Sequence, residues 1–320
     1  MNKKLIALAV SAAAIAPAAF AAENTVTLYG QVNVAVQSTK IDGGRDQFGV
    51  GNMASRIGFK GQEDLGGGSS AFFQIETGVA PDDASQSRFA SREGWLGLKG
   101  DFGSIKLGRG KSLYTLATEE FDPWYQDQSL GLTANSSNYR VDNAIRYELA
   151  SGPFSLGIEN SFGENKTSSH SASNDMGVSA KYTGESFFVV GAVDTYRPIT
   201  GSHQKRAYLG GSAALGNFTA GLAVQRRDGG DDQKFTDPLV SFGYTEGNLT
   251  LILGAIVWDK DSFKSRNASG VLVGNEAKTQ GNFAGYYALS KRTTALIEYS
   301  GNYAGVKNYN VLSVGLSHLF

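Results

Sequence analysis

Basic residues recur at alternating positions in two parts of the sequence, and this spacing limits the chemistry that they can perform. Alternate side chains of an extended chain point to the same side. Arg56 and Lys60 therefore share one side of a strand, and the apolar residues between them take the other. Arg140 and Arg146 share a side in the same way, together with Asp142. Charges held in rows can attract or repel ions without any covalent step.

The sequence contains little that indicates covalent or metal chemistry. It has no cysteine, which excludes disulfides and Cys-bound metals. Its three histidines are widely separated and do not favour a zinc site, and a Gly-x-Ser-x-Gly nucleophile motif is missing. The formal net charge of -1 gives no case for nucleic-acid binding. We expect no metal, no cofactor, no nucleic-acid partner and no enzymatic activity.

The elements that would position these charges are β-strands. Apolar residues alternate with small or polar residues in four well-defined segments: 25–36, 154–162, 218–225 and 312–320. A period of two is typical of strands whose two faces meet different surroundings. The polar side carries small residues such as Gly157 and Gly221, which suit a face bordering water better than one bordering a dry core.

Short turn signals count the strands. Seven of them separate eight hairpins and therefore predict sixteen strands: Asp64–Gly68, Gly100–Gly103, Ser151–Pro153, Thr183–Ser186, Leu215–Asn217, Glu246–Asn248 and Ser290–Thr293. The intervening polar segments are longer and predict eight loops at the other end: 37–54, 80–87, 110–141, 163–173, 197–202, 228–236, 259–274 and 302–308. Short turns at one end and long loops at the other are typical of outer-membrane barrels.

The start of the chain predicts export. Lys3 and Lys4 precede an apolar stretch, and Ala19-Phe20-Ala21 fits the cleavage rule for a signal peptide. We assign residues 1–21 to the signal peptide and 22–320 to one membrane-spanning domain. No later run of apolar residues is long enough for a transmembrane helix. A mean hydropathy of -0.22 also suits a soluble periplasmic protein, but strand periodicity favours an all-β, sixteen-stranded antiparallel transmembrane β-barrel.

The third long loop has about thirty residues. Loops of this length are usually either functional or disordered. It is rich in aromatic residues, and Phe121, Trp124 and Tyr125 are candidate packing anchors. This composition predicts an ordered loop that packs against another surface, including the inside of the barrel. If the same rings lined a pore instead, they would favour aromatic solutes.

Several motifs resemble a known family along the whole mature chain. They are Thr25-Val26-Thr27-Leu28-Tyr29-Gly30, Ser55-Arg56-Ile57-Gly58-Phe59-Lys60-Gly61, Glu63-Asp64-Leu65-Gly66-Gly67-Gly68, Gly97-Leu98-Lys99-Gly100-Asp101-Phe102-Gly103, Leu107-Gly108-Arg109, Asp142-Asn143-Ala144-Ile145-Arg146-Tyr147, Leu289-Ser290-Lys291-Arg292-Thr293 and Gly315-Leu316-Ser317-His318-Leu319-Phe320. Together they resemble general diffusion porins of neisserial and other β-proteobacterial outer membranes. The resemblance implies a homotrimer, a third loop folded into the pore, and a terminal Phe320 recognised by the barrel-assembly machinery.

The resemblance also implies a charged constriction. Arg56, Arg92 and Arg140 match the family's basic wall. The third-loop acids Glu119, Glu120 and Asp122 would face it, although a solvated loop surface suits these acids equally well. Further candidates for the basic wall are Lys60, Lys106, Arg109 and Arg146. Near Arg92 the strand alternation is unclear, and an outward Trp95 would put Arg92 inside and Glu93 outside.

The expected function is passive transport of small hydrophilic solutes and ions across the bacterial outer membrane, with a weak anion preference. Outer-membrane lipids and lipopolysaccharide would surround the barrel. One alternative is a channel specific for a small anionic or aromatic compound. A barrel enzyme and a plugged receptor barrel are less favoured, because the sequence lacks a catalytic cluster and has no room for a plug domain.

Overall fold

The computed structural model describes residues 25–41, 43–82, 89–122, 124, 131–133, 140–163, 175–196, 204–228, 234–262, 265–266, 272–274 and 276–320. The predicted signal peptide, residues 1–21, and the candidate anchor Tyr125 lie outside the described residues. Within these ranges, strands form most of the chain. None of the helices described is long and apolar enough to cross a bilayer.

The described residues form nineteen strands, which follow one another in chain order. They are β1 (Thr25–Lys40), β2 (Gln47–Asn52), β3 (Arg56–Gly66), β4 (Ser69–Gly78), β5 (Glu93–Gly100), β6 (Gly103–Lys111), β7 (Arg140–Ser151), β8 (Phe154–Ser161), β9 (Asp175–Thr183), β10 (Phe187–Tyr196), β11 (Gln204–Leu215), β12 (Phe218–Asp228), β13 (Lys234–Glu246), β14 (Leu249–Ile256), β15 (Ser265–Arg266), β16 (Leu272–Val273), β17 (Gln280–Ala288), β18 (Thr293–Gly301) and β19 (Asn310–Leu319). A helix α1 (Leu113–Phe121) lies between β6 and β7, and a 3₁₀ turn (Tyr303–Gly305) lies between β18 and β19.

Seventeen of these strands form one closed antiparallel sheet. Strand β1 pairs with β19 on one side and with both β2 and β3 on the other. Because β2 and β3 occupy successive parts of one position, the ring has sixteen strand positions, which confirms the predicted fold class. The remaining pair, β15 and β16, forms a separate small hairpin.

The interruption between β2 and β3 has a local cause. Ala54 adopts a φ of 63°, so the chain leaves the extended conformation there. Asn33 of β1 stabilises the break, since its side-chain amide donates to the Met53 carbonyl at 3.1 Å, and its backbone N–H donates to Ser55 Oγ at 2.9 Å. The predicted first loop, 37–54, was therefore too long. Residues 37–40 continue β1, and residues 47–52 form β2, whose outer face carries the exposed Phe48 and Val50.

The two faces of the barrel differ as the alternation predicted. On β12, Leu222 and Val224 face outward and are 71% and 38% exposed, whereas Ala223 and Gln225 face inward and are buried. All seven short turns are present, at 67–68, 101–102, 152–153, 184–186, 216–217, 247–248 and 289–292. An outer surface of exposed aliphatic and aromatic side chains requires apolar surroundings, as a bilayer provides.

Helix α1 packs against the inner face of the barrel. Ser112 caps its start by accepting a hydrogen bond from the Thr115 N–H at 3.1 Å, and its contacts are with β8, β9, β10 and β11. Phe121 and Trp124 belong to a buried apolar cluster with inner-face residues such as Tyr208 and Leu239. This part of the inner wall is apolar because the third loop covers it.

Candidate functional site

Two arginines share one carboxylate on the inner wall. Arg56 lies at the start of β3, and Arg92 lies immediately before β5. Arg92 Nε donates to Glu76 Oε1 at 2.6 Å, and Arg56 Nε lies 3.7 Å from Glu76 Oε2. The strand register explains the grouping, because Glu76 pairs with Gly58 on one side and Glu93 on the other. Each arginine side chain keeps 19% of its surface exposed.

The third arginine joins the same wall through β5. Arg140 Nε lies 3.8 Å from Glu93 Oε1, and Trp95 Nε1 donates to Glu93 Oε2 at 2.7 Å. Both Glu93 and Trp95 therefore face inward, so the unclear alternation near Arg92 does not resolve into an outward Trp95. Arg92 nevertheless reaches the inner cluster, because it precedes the regular part of β5 and is not bound by its alternation.

The three acids expected on the third loop occupy three different environments. Glu119 is buried and accepts a hydrogen bond from Lys111 Nζ at 2.7 Å. Burial raises the pKa of this carboxyl, and the neighbouring Lys111 opposes the rise. Glu120 bonds to Lys181 Nζ of β9 at 2.6 Å, on the opposite side of α1. Of the three acids, only Glu119 therefore lies close to Arg140.

Asp122, the third acid, organises the loop itself. It is fully buried and accepts hydrogen bonds from the Thr133 N–H at 2.7 Å, from Thr133 Oγ1 at 3.0 Å and from the Trp124 N–H at 3.2 Å. Desolvation raises the pKa of Asp122 to about 6, although these hydrogen bonds favour the charged form. These contacts hold Trp124 and Thr133, two separate parts of the third loop, together.

Arg146 faces inward, as the alternation predicted, but it is almost completely buried. Its Nε and Nη2 donate to Glu159 Oε2 at 3.0 and 2.6 Å, and its guanidinium lies 4.9 Å from the Trp95 ring. Glu159 Oε1 also accepts the Leu113 N–H at 2.9 Å, which fixes the start of α1 to β8. Arg146 thus supports the loop rather than lining an aqueous surface.

Lys60 and Arg109 lie on opposite faces of the barrel. Lys60 points inward and its ammonium lies 5.3 Å from the ring of Tyr29. Arg109 pairs across the sheet with Gly94 and shares the outer face with Leu107, so its assignment to the basic wall was wrong. Lys106 and Arg109 are three residues apart, and residues at this spacing lie on opposite faces of a regular strand.

The outward position of Arg109 also corrects the placement of Asp142. Arg109 forms its ion pair with the exposed Asp142, which the alternation had placed inside. Strand β7 is irregular at this point, since Asn143 adopts a φ of 51°. The register of β6 with β7 shifts between Gly108 and Gly110.

The expected anchors sit in notches formed by glycines. A Cβ atom built on Gly221 would lie 2.7 Å from Phe121 Cε2, and one on Gly254 would lie 2.7 Å from Trp124 Cη2. Both rings therefore occupy space that a larger residue would fill. The backbone of Phe320 exchanges two hydrogen bonds with Gly30, each of 3.1 Å, so this residue closes the barrel seam.

The partners Glu76, Lys111 and Glu159 were not predicted from the sequence, and Glu93 was considered only for the outer face. The position of Glu76 could have been predicted. The short turn at 67–68 fixes the register of β3 with β4, and the alternation in β4 then gives the side of the sheet on which Glu76 lies. The place of Glu159 against α1 depends on how the third loop folds, and no local pattern encodes that.

The closed barrel, its apolar outer surface and its charged inner wall define a membrane-spanning channel. The chain belongs to the Gram-negative porin family, whose profile matches residues 7–304. The protein is a general diffusion porin of the bacterial outer membrane.

Two kinds of relatives support this assignment. The chain is 25% identical over 401 residues to major outer membrane protein P.IA of Neisseria meningitidis serogroup B, and 28% identical over 350 residues to protein P.IB of the same serogroup; each alignment covers 100% of both chains. In structure it is similar to an anion-selective porin from Comamonas acidovorans (TM-score 0.79, 21% identity, 93% of this chain and 100% of that chain). It is also similar to Salmonella typhi OmpF in complex with daunomycin (TM-score 0.73, 18% identity, 93% of this chain and 98% of that chain).

Proposed function

We propose that the aqueous path narrows between helix α1 and the arginine cluster, and that this section gives the channel a weak anion preference. The cluster is defined as Arg56, Arg92, Arg140 and Lys111 with the carboxylates Glu76, Glu93 and Glu119. The observation that carries the proposal is the sharing of Glu76 by two arginines, which leaves basic residues in excess.

The charge balance of the cluster supports a weak preference rather than a strong one. Four cationic groups meet three carboxylates, and burial of Glu119 disfavours its charged form. The local charge is therefore positive by one or more units, although the whole chain carries a formal charge of -1. Selectivity in pores depends on such local charges and on the radius of the narrow section.

The electric field across the narrow section does not come only from a basic wall that faces an acidic loop. Glu76 and Glu93 lie on the same wall as the arginines, so opposite charges alternate along it. Walls of low dielectric constant focus the field that remains. Small polar solutes with a dipole would align in this field, whereas apolar solutes would lose hydration without compensation.

A channel specific for aromatic solutes receives less support. That alternative required Phe121 and Trp124 to line the path, yet both rings are buried against the inner wall. We therefore favour a path open to many small hydrophilic solutes and ions, without a catalytic step. A homotrimer in contact with outer-membrane lipids and lipopolysaccharide, assembled through recognition of Phe320, completes the proposal; one structural neighbour, OmpT of Vibrio cholerae, is described in a trimer form.

Planar-bilayer recording tests this function directly. The purified protein should insert with conductance steps in multiples of three, and a tenfold KCl gradient should give a small reversal potential of the sign for chloride preference. A clear potassium preference would contradict the proposed role of the arginine cluster. Insertion in single conductance units would contradict the trimer but leave the selectivity proposal standing.

A further inference from the structure

The first and last strands of the barrel pair without a turn between them. Strand β1 pairs with β19 from Gln31 opposite Leu319 to Lys40 opposite Asn310, although the two strands lie at opposite ends of the chain. All other neighbouring positions in the described ring are joined by a turn or a loop. Because turn geometry normally helps to fix strand register, the seam between β1 and β19 needs another determinant.

The alternation of apolar and polar residues cannot supply this determinant alone. A shift of one residue would turn the lipid-facing side chains of β1 into the lumen, so the alternation excludes it. A shift of two residues keeps each side chain on its own face, since alternate residues share a face. Such a shift would nevertheless change the stagger of the ring, to which strand tilt and barrel diameter are linked. The register of the seam therefore contributes to the width of the pore.

A notch in the outer face of β1 distinguishes the native register from the shifted ones. Gly30 is buried, although Leu28 and Val32 on the same face are 51% and 40% exposed. The ring of Phe320 covers it, because a Cβ atom built on Gly30 would lie 2.5 Å from Phe320 Cζ and 3.0 Å from Cε2. The backbones of these two residues also exchange two hydrogen bonds of 3.1 Å. The last side chain of the protein thus occupies space that only a glycine leaves open.

We propose that the Gly30 notch is the binding site of the Phe320 ring, and that this contact fixes the register of the seam and with it the width of the pore. A shift of two residues in either direction places Phe320 opposite Leu28 or Val32. The side chains of these residues fill the space that the ring needs, and overpacking of this kind is destabilising. Only the native register therefore accommodates the ring.

The neighbouring residue fixes β1 on its other side in the same way. Tyr29 lies opposite Gly58 of β3, and a Cβ atom built on Gly58 would lie 2.5 Å from Tyr29 Cζ. This contact is on the inner face, where Tyr29 Oη also accepts a hydrogen bond from Gln74 Nε2 at 2.8 Å. Two adjacent residues of β1 therefore set its position against both neighbouring strands.

Disulfide trapping reads the register directly, because the chain has no cysteine of its own. Gln37 lies opposite Ser313 in a pair without mutual hydrogen bonds, where the Cα atoms are about 4.5 Å apart and a disulfide fits. Gln37→Cys/Ser313→Cys therefore reports the native register, whereas Thr39→Cys/Ser313→Cys and Ala35→Cys/Ser313→Cys report the two shifted ones. Ser313→Cys also removes the hydrogen bond that Gln37 Nε2 donates to Ser313 Oγ, so this bond does not bias the comparison.

The first variant removes the ring. Purified protein that is refolded in detergent micelles and mildly oxidised should give the native disulfide almost exclusively. Phe320→Ala should lower the ratio of native to shifted disulfides by about tenfold, because the side chain that fits in one register only is gone. Its single-channel conductance should also spread over several values. An unchanged ratio would overturn the proposal, and the absence of the assembly machinery keeps recognition of Phe320 out of the measurement.

The second variant fills the notch. The methyl group of Gly30→Ala would also lie 2.5 Å from the Arg56 carbonyl oxygen of β3, so the variant is compared with and without Phe320→Ala. We expect Gly30→Ala to lower the ratio about tenfold beside the intact ring and to change it little in the Phe320→Ala background. Equal effects in both backgrounds would assign the loss to β3 and contradict the proposal. The matched control Gly281→Ala, where a Cβ meets nothing within 4 Å, should leave the ratio unchanged.

Discussion

The arginine cluster predicts a selectivity change from a single neutral substitution. Glu76 contacts Arg92 at 2.6 Å and Arg56 at 3.7 Å, so Glu76→Gln removes one negative charge while its side-chain oxygen still accepts a hydrogen bond. The net charge of the cluster rises by one unit. We expect the permeability ratio of chloride to potassium to increase.

The size of the effect follows from the Coulomb energy. A unit charge about 7 Å from an ion in water changes its energy by ~0.6 kcal/mol, with opposite signs for anion and cation. A Debye length of about 10 Å at 0.1 M salt halves this value, so the permeability ratio should rise about threefold. At 0.01 M salt, weaker screening should enlarge the change to about fivefold.

Reversal potentials across a planar bilayer measure this ratio in a salt gradient. The matched control is Glu185→Gln, which removes the same charge from an exposed short turn and should leave the ratio within error of the wild type. An unchanged ratio for Glu76→Gln would refute the reasoning, and so would an effect that does not grow as the salt is diluted.

Three further predictions concern the same wall and the third loop. Arg140→Ala removes a positive charge from the cluster and should lower the chloride-to-potassium ratio about threefold in the same recordings. Because the pKa of Asp122 is about 6 in the folded protein, the folded state loses up to ~3 kcal/mol as the pH rises from 4 to above 6. The melting temperature of the wild type should therefore fall over this range, and Asp122→Asn, which cannot titrate there, should lack this part of the fall. Gly221→Ala places a methyl group 2.7 Å from the Phe121 ring, so it should destabilise the barrel by ~1–3 kcal/mol and increase current noise.

Each of these predictions has its own control. Arg292→Ala, in an exposed short turn, should leave selectivity unchanged, and an equal effect there would make the Arg140 result nonspecific. A melting temperature of Asp122→Asn that falls as steeply as that of the wild type between pH 4 and pH 7.5 would contradict the titration. Gly281→Ala, at a strand position where a Cβ meets nothing within 4 Å and the glycine has no positive φ, should leave stability nearly unchanged and so isolates the packing effect at Gly221.

Most of the fold was predictable because the residue types on the two faces of each strand reflect what each face contacts. The lipid-facing side must be apolar along β1, β8, β12 and β19, so the alternation survives in the sequence. Turns of two or three residues need specific backbone angles, and glycines therefore mark them, as at Gly152 and Gly247. The strand ends were less predictable, because near the loops both faces meet water.

The candidate site was predictable only in part. Alternation correctly put Arg56 and Lys60 inside, but it could not choose their partners, which depend on the register between neighbouring strands. It failed at Asp142 because an irregularity in β6 and β7 reverses the facing of residues beyond it. The dispersal of the loop acids follows from the packing of α1, to which contacts distant in sequence contribute.

The pairing of β1 with β19 has a consequence for folding. Gln31 lies opposite Leu319, so almost the whole chain separates two residues that must meet. Contacts of this range form slowly, because a long loop must close before the pairing stabilises it. Until then, the two edges of the sheet remain open and able to pair with other chains. The unfolded polypeptide must therefore be kept apart from other copies of itself during transit. Pairing of the first strand with the last one then removes both open edges of the sheet.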